Sequence, residues 1–213
     1  MATIRLGDIA PNFQSETTEE EPDFYEFLGN GRGILFSHPA DFTPVCTTRL
    51  GTSAKLKDEF SRRLVKIIAL RVDSLESHQA WIKDINETQN THVNFPVIAD
   101  PDRKIAELFD FIHPDASSTD TARSVLIIAP DKTIKLIIVY TASTGSYFNE
   151  ILRVTDSLQL TPTYQVATPA NWQQGEDVVI TPAVKDEEIP AKFPKGHTRL
   201  KPCLRLTPQP NIQ

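Results

Sequence analysis

Phe36-Ser37-His38-Pro39-Ala40-Asp41-Phe42-Thr43-Pro44-Val45-Cys46-Thr47-Thr48 is the stretch that decides how the rest of the chain is read. Ahead of it, Gly31 to Ser37 reads as a turn feeding a short buried strand. His38 to Phe42 is a loop, and Cys46 through Arg63 reads as a helix. Leu50, Ala54, Leu56 and Phe60 supply its apolar stripe. Thr43 is a good N-cap residue, and Pro44 suits the first helical position, where a missing N–H costs nothing. Cys46 therefore falls third in the helix. There the free backbone N–H groups and the positive end of the helix dipole stabilise a sulfur anion. That anion is the form that attacks an O–O bond and becomes a sulfenic acid. The same capped helix also suits a cysteine that is only a small buried apolar residue.

Outward from this stretch, strands and helices alternate. Val65 to Val72 is a strand, and Asp73 to Glu76 has the capping character that opens a second helix through Ile85. Phe95 to Ala99 is a short strand and Arg103 to Phe109 a helix. Ser124 to Ala129 and Thr133 to Tyr140 are strands joined by Pro130-Asp131-Lys132, a turn by composition. Tyr147 to Leu158 is a helix. The pattern predicts an α/β domain over 1–160, with a mixed central sheet flanked by helices. Beyond it, 161–213 holds eight of the sixteen prolines and only short apolar runs. It reads as a small proline-rich C-terminal domain or arm without a core of its own, packed on the first domain or on a partner subunit.

Composition narrows the function. The 213 residues carry 22 basic and 28 acidic side chains, a net charge of −6. A nucleic-acid binder would normally show a basic face, and an anionic membrane surface would also want one. No segment approaches the roughly 20 apolar residues needed to span a bilayer. The N-terminus shows no secretory or mitochondrial signal, and residue 2 is alanine, so no myristoylation signal stands there. Cys46 and Cys203 are the only cysteines, with no CxxC spacing, so neither a metal site nor a disulfide framework is expected. The expectation is a cytoplasmic protein with reduced thiols, no cofactor and no metal.

The quoted stretch closely resembles the peroxiredoxin active-site segment, whose core Pro-x-x-x-Thr-x-x-Cys is met here by Pro39, Thr43 and Cys46. Its Ser-His-Pro opening is similar to the one-cysteine subfamily. So are Leu6 to Phe13, Trp81 to Ile85, Glu150 to Arg153, Val166 to Pro169 and Leu206 to Pro210, so the likeness covers essentially the whole chain. The resemblance implies a thioredoxin-like fold with a C-terminal extension, usually as a homodimer. It implies a thiol-dependent peroxidase that reduces peroxides through Cys46 and is recycled by an external thiol. Carried over by position, Thr43 would hydrogen-bond the sulfur and the bound peroxide, and Pro39 would shield the pocket. Arg123 would set its guanidinium beside Cys46, which favours the thiolate and polarises the peroxide. His38 resembles the pocket histidine of the subfamily, although a lone histidine also serves as a structural residue.

Two departures bear on the site. The family usually reads Cys-Thr-Thr-Glu, and here Arg49 stands in the glutamate's place. The family usually has Thr-Gly-Arg before the last helix of the domain, and here Ser146 follows Gly145. One expectation is a partial swap, with the Arg49 guanidinium in space vacated at 146. The other is that Arg123 has lost its carboxylate and is repelled by Arg49. Animal members also carry a phospholipase built on Gly-x-Ser-x-Gly. Here Gly29-Asn30-Gly31-Arg32-Gly33 lacks the serine, Tyr25 replaces the histidine and only Asp131 matches, so that activity is not expected. Cys203 lacks the setting of a resolving cysteine and reads as an incidental thiol. Beside the simple peroxidase stand two alternatives: a peroxiredoxin diverged toward one organic metabolite, and a redox sensor or scaffold without efficient turnover.

Overall fold

The computed structural model describes residues 3–19, 23–113 and 120–211. Met1 and Ala2, on which the reading of the N-terminal signals rests, lie outside the described residues. The chain divides into two compact units, Met1–Ser146 and Tyr147–Gln213.

In the first unit the elements run α1 (Phe24–Leu28), β1 (Arg32–Ser37), α2 (Pro44–Lys55), α3 (Lys57–Arg62), β2 (Val65–Arg71) and α4 (Leu75–Gln89). They continue with β3 (Val97–Ala99), α5 (Lys104–Leu108), β4 (Arg123–Ile128) and β5 (Ile134–Tyr140). The sheet order is β3-β2-β1-β4-β5. β1, β2 and β3 are parallel, while β4 runs antiparallel to β1, and β5 to β4. Leu35 sits opposite Ile68 on one side and Leu126 on the other. With Leu70, Ile98 and Ile128 these residues build a core cluster with Phe24, Phe109 and Phe111. The alternate residues Ile34, Phe36, Ile67, Ala69, Val97, Val125 and Ile127 are buried as well. A sheet covered on both faces needs uninterrupted apolar runs, which is how these strands read in the sequence.

The helix expected from Cys46 to Arg63 begins earlier, at Pro44, and breaks at Leu56 into α2 and α3. Hydroxyls of Thr47, Thr52 and Ser53 donate back to the carbonyls of Thr43, Thr48 and Arg49. Such bonds compete with the helix ladder and bend it, and the restart still buries Phe60. α2 packs beside α4 so closely that a Cβ on Gly51 would meet the Gln89 side chain at 2.5 Å.

The second unit contains α6 (Phe148–Tyr164), β6 (Val166–Ala167), β7 (Val178–Ile180), α7 (Ile189–Lys192), β8 (Thr198–Lys201) and β9 (Leu204–Thr207). Its strands form an antiparallel sheet of order β6-β7-β9-β8. This overturns the expectation that the proline-rich segment lacks a core. Trp172 is buried with Leu160, Val166, Val178, Ile180, Val184, Ile189 and Phe193. These residues are scattered singly between prolines, so no periodic run advertises them. α6 also runs past Leu158 and through Pro162, a continuation that puts Leu160 and Tyr164 against this cluster. No helix among the described residues is long and apolar enough to cross a membrane.

Candidate active site around Cys46

Phe42 makes the turn that points the chain into α2. Its φ of 55° lies in the left-handed region, a conformation costing roughly 1–2 kcal/mol outside glycine. Its ring approaches Trp81 with centroids 6.4 Å apart. Thr43 then takes the N-cap position with φ −99° and ψ 141°, and Pro44 opens the helix. The Thr43 hydroxyl does not cap the helix: Oγ1 donates to Ala40 O at 2.8 Å. Cys46 follows in the first turn with no exposed surface and no disulfide partner. Trp81 Nε1 donates to Thr47 Oγ1 at 3.1 Å, tying this turn to α4.

Two guanidiniums are buried close by. Arg49 is 2% exposed and stacks on Phe36, with Cζ 4.6 Å from the ring centroid. Its Nη1 donates to Ser37 O at 2.6 Å and its Nη2 to Ser124 O at 2.8 Å. Arg49 therefore bridges β1 and β4 and makes no hydrogen bond to Ser146, whose buried Oγ has no partner. The Arg49 guanidinium makes its hydrogen bonds to the sheet and not to residue 146. Burial first, and then repulsion from Arg123, push the Arg49 guanidinium down to about 9, with Cys46 and Tyr140 acting in the other direction. Arg123 is 1% exposed. Its Nη2 donates to Ala142 O at 2.8 Å, while Nε and Nη1 have no partner. Arg123 and Pro39 line one cavity of about 370 Å³ with Thr121, Tyr140 and Thr141 among its walls.

The residues beneath this loop, His38 apart, were not singled out from the sequence. His38 and Asp41 are buried, with Nε2 and Oδ1 3.7 Å apart, beyond hydrogen-bond reach. Burial above all pushes the His38 imidazole down to about 4, so it is neutral near neutrality. Asp41 Oδ2 accepts from Ser77 Oγ at 2.8 Å and meets His78 Nδ1 at 2.7 Å. His78 Nε2 faces Ile98 O at 3.2 Å. The ring thus spans Asp41 and the β3 backbone. Arg71 donates to His38 O at 2.9 Å and to Asp73 Oδ2 at 2.5 Å, and Thr121 Oγ1 donates to the same His38 carbonyl at 2.6 Å. A signal was present: His78, Trp81 and Ile85 fall on one apolar face of α4, and a histidine on such a face needs a buried partner.

Elsewhere, Gly31 holds the place where the phospholipase serine would stand, and a Cβ at Gly33 would lie 2.2 Å from Leu28 Cδ2, so a side chain there would displace the buried Leu28. The Tyr25 hydroxyl donates to Ala10 O, and Asp131 caps its own turn at Thr133. Cys203 is an exposed free thiol between β8 and β9. No group of histidine, cysteine and carboxylate side chains able to hold a metal ion occurs among the described residues.

The AhpC/TSA family pattern matches residues 6–137, and the C-terminal domain of 1-Cys peroxiredoxin matches residues 157–196. The chain belongs to the one-cysteine peroxiredoxins of the AhpC/TSA family. It is 51% identical to the 1-Cys peroxiredoxin of Dictyostelium discoideum, across 98% of this chain and 86% of the relative. It is 52% identical to peroxiredoxin-6 of Mus musculus, across 97% of this chain and 98% of the relative. Among solved structures, the yeast mitochondrial 1-Cys peroxiredoxin superposes with a TM-score of 0.91 at 46% identity, covering 97% of this chain and all of that one. A cysteine-to-serine mutant of Arenicola marina peroxiredoxin 6 gives 0.90 at 44% identity, with 98% and 100% coverage. The thioredoxin-like fold expected from the sequence is the fold of these peroxiredoxins, and the chain is a thiol-dependent peroxidase.

Proposed function

We propose that this peroxiredoxin reduces hydrogen peroxide and alkyl hydroperoxides through Cys46 and is recycled by an external thiol. The observation that carries the reading is Cys46 buried in the first turn of α2, one helical turn ahead of the buried Arg49. The Cys46 sulfur attacks the distal peroxide oxygen. An S–O bond forms, the O–O bond breaks, and the leaving oxygen takes a proton to depart as water or an alcohol. A reductant thiol then displaces water from the sulfenic acid, and a second thiol releases Cys46 with formation of a disulfide.

Arg123 has two guanidinium nitrogens to offer the oxygen on which charge develops. Thr43 has its proton committed to Ala40 O, so its oxygen serves as an acceptor for the peroxide proton. Pro39 closes the same cavity wall as Arg123. His38 is a positioning residue whose carbonyl, held by Arg71 and Thr121, fixes the loop before Thr43. Residues 1–160 form the catalytic part in this reading and 161–213 its extension. Two unpaired thiols suit a reducing compartment such as the cytoplasm. β5 is an edge strand with Val139 exposed, a surface suited to a homodimer.

The test is thiol-supported peroxide consumption together with the intact mass of Cys46 after one equivalent of peroxide. Wild type should gain one oxygen at Cys46 and turn over with a glutathione or thioredoxin system, the systems that serve the yeast relative. Turnover persisting in Cys46→Ser defeats the proposal.

A further inference from the structure

We infer that Arg49 and Arg123 together form an anion-accepting subsite beside Cys46, making hydroperoxides that carry a carboxylate or similar oxyanion its preferred substrates. This deepens the peroxidase reading and rests on it.

Arg49 and Arg123 are both buried, and neither makes a salt bridge to a carboxylate among the described residues. Their bonded nitrogens reach only backbone carbonyls, those of Ser37, Ser124 and Ala142. Three guanidinium nitrogens are left over, Arg49 Nε with Arg123 Nε and Nη1, and the buried Ser146 hydroxyl is unpartnered too. The segment carrying Ser146 lies against the start of α2, because a Cβ on Gly145 would sit 3.8 Å from Val45 Cγ1. Each guanidinium repels the other, and Cys46 lies close enough to relieve Arg49. With Cys46 as thiolate, two positive charges and one negative leave a surplus of one positive charge. Buried donors left unsatisfied are costly, and a second anion satisfies them. Asp120, on the wall of the Arg123 cavity, already has a partner of its own.

The chemistry makes the surplus useful. When the Cys46 sulfur takes the distal oxygen, the electron pair of the broken O–O bond stays on the proximal oxygen. If that fragment already bears a carboxylate, it leaves as a dianion before taking up a proton. Two buried guanidiniums match a dianion, whereas a neutral alkyl hydroperoxide uses only one of them. In a site shielded from water such fixed charges act far more strongly than in solution.

The matched probes are α-hydroperoxyisobutyrate and its methyl ester, which differ in one charge. The rate of Cys46 oxidation by each is measured on the full chain and divided by its rate with free cysteine thiolate. The acid should be favoured over the ester by about tenfold or more in the wild type, the scale of one charged hydrogen bond. The preference should survive in Arg49→Lys and fall toward unity in Arg49→Gln. Equal normalised rates in the wild type overturn the subsite while leaving the peroxidase intact. Failure of both probes to oxidise Cys46 overturns the peroxidase reading itself. If Arg49→Gln does not fold, inert acetate replaces it as the probe. Competitive slowing of wild-type oxidation by hydrogen peroxide supports the subsite, and an unchanged rate overturns it.

Discussion

His78 Nδ1 lies 2.7 Å from Asp41 Oδ2, joining helix α4 to the loop that precedes Cys46 through a buried hydrogen-bonded pair. Burial alone would raise the Asp41 carboxyl. The His38 ring nearby and hydrogen bonds from His78 and Ser77 outweigh it and hold Asp41 well below the usual carboxylate range. The loop is thus anchored by His78 and Ser77 at Asp41, by Arg71 and Thr121 at the His38 carbonyl, and by Trp81 at Thr47.

Acid should loosen this anchor in two steps. His38 is held neutral, with its titration moved from 6.5 in an open chain to about 4 in the fold. The unfolded chain therefore binds the extra proton, and stability present above about pH 6.5 is lost as pH falls toward 4. The loss should approach about 3 kcal/mol and be absent in His38→Phe, which keeps a ring against Trp81. Urea denaturation at several pH values across this window measures it. Identical pH slopes in the two proteins would show that His38 is not the group responsible. The Asp41 contribution is lost in a separate window, below the open-chain carboxylate value of about 4.

Removing one member of the buried pair should cost more than a surface substitution. His78→Ala leaves the buried Asp41 carboxylate without this partner, and a loss of about 3–5 kcal/mol is expected at neutral pH. Denaturant midpoints would reveal it, and a loss below about 1 kcal/mol, the scale of an exposed pair, would contradict a structural role for this contact.

At Thr43 the hydroxyl matters more than the shape. Thr43→Val is expected to lower kcat/KM for hydrogen peroxide by about 10²–10³-fold, the scale of one lost polar contact to the reacting group. Thr43→Ser should restore most of it. Equal activity of the valine and serine variants would remove Thr43 from the reaction.

Trp172→Ala should destabilise the second unit by about 3–5 kcal/mol, because the ring fills the centre of its only sizeable apolar cluster among the described residues. Limited proteolysis should then cut within 166–211 first. Unchanged protease resistance would mean that the cluster is not what holds this unit.

Much of the first unit was readable in the sequence because its strands are continuous apolar runs and its turns carry standard residues, as at Pro130-Asp131-Lys132. Thr43, Pro44 and Cys46 announced the start of α2 through local chemistry alone. The run of α6 through Pro162 was not readable, since it depends on what the far end of the helix packs against. The core around Trp172 escaped for the same reason. In the site, Arg49 and Ser146 were visible as departures, but only the fold decides that Arg49 turns to Ser37 and Ser124. His78 and Asp41 are 37 residues apart in sequence, and no local pattern links them.

The two tryptophans fall one to each compact unit, Trp81 in the first and Trp172 in the second, and both are about 1% exposed. Each unit therefore carries its own optical probe. With Trp172→Phe the emission reports the Cys46 neighbourhood alone, since Trp81 touches Thr47, His38 and Phe42. With Trp81→Phe it reports the C-terminal unit alone. Stopped-flow emission from the two variants would time the movement of each unit separately through one catalytic cycle.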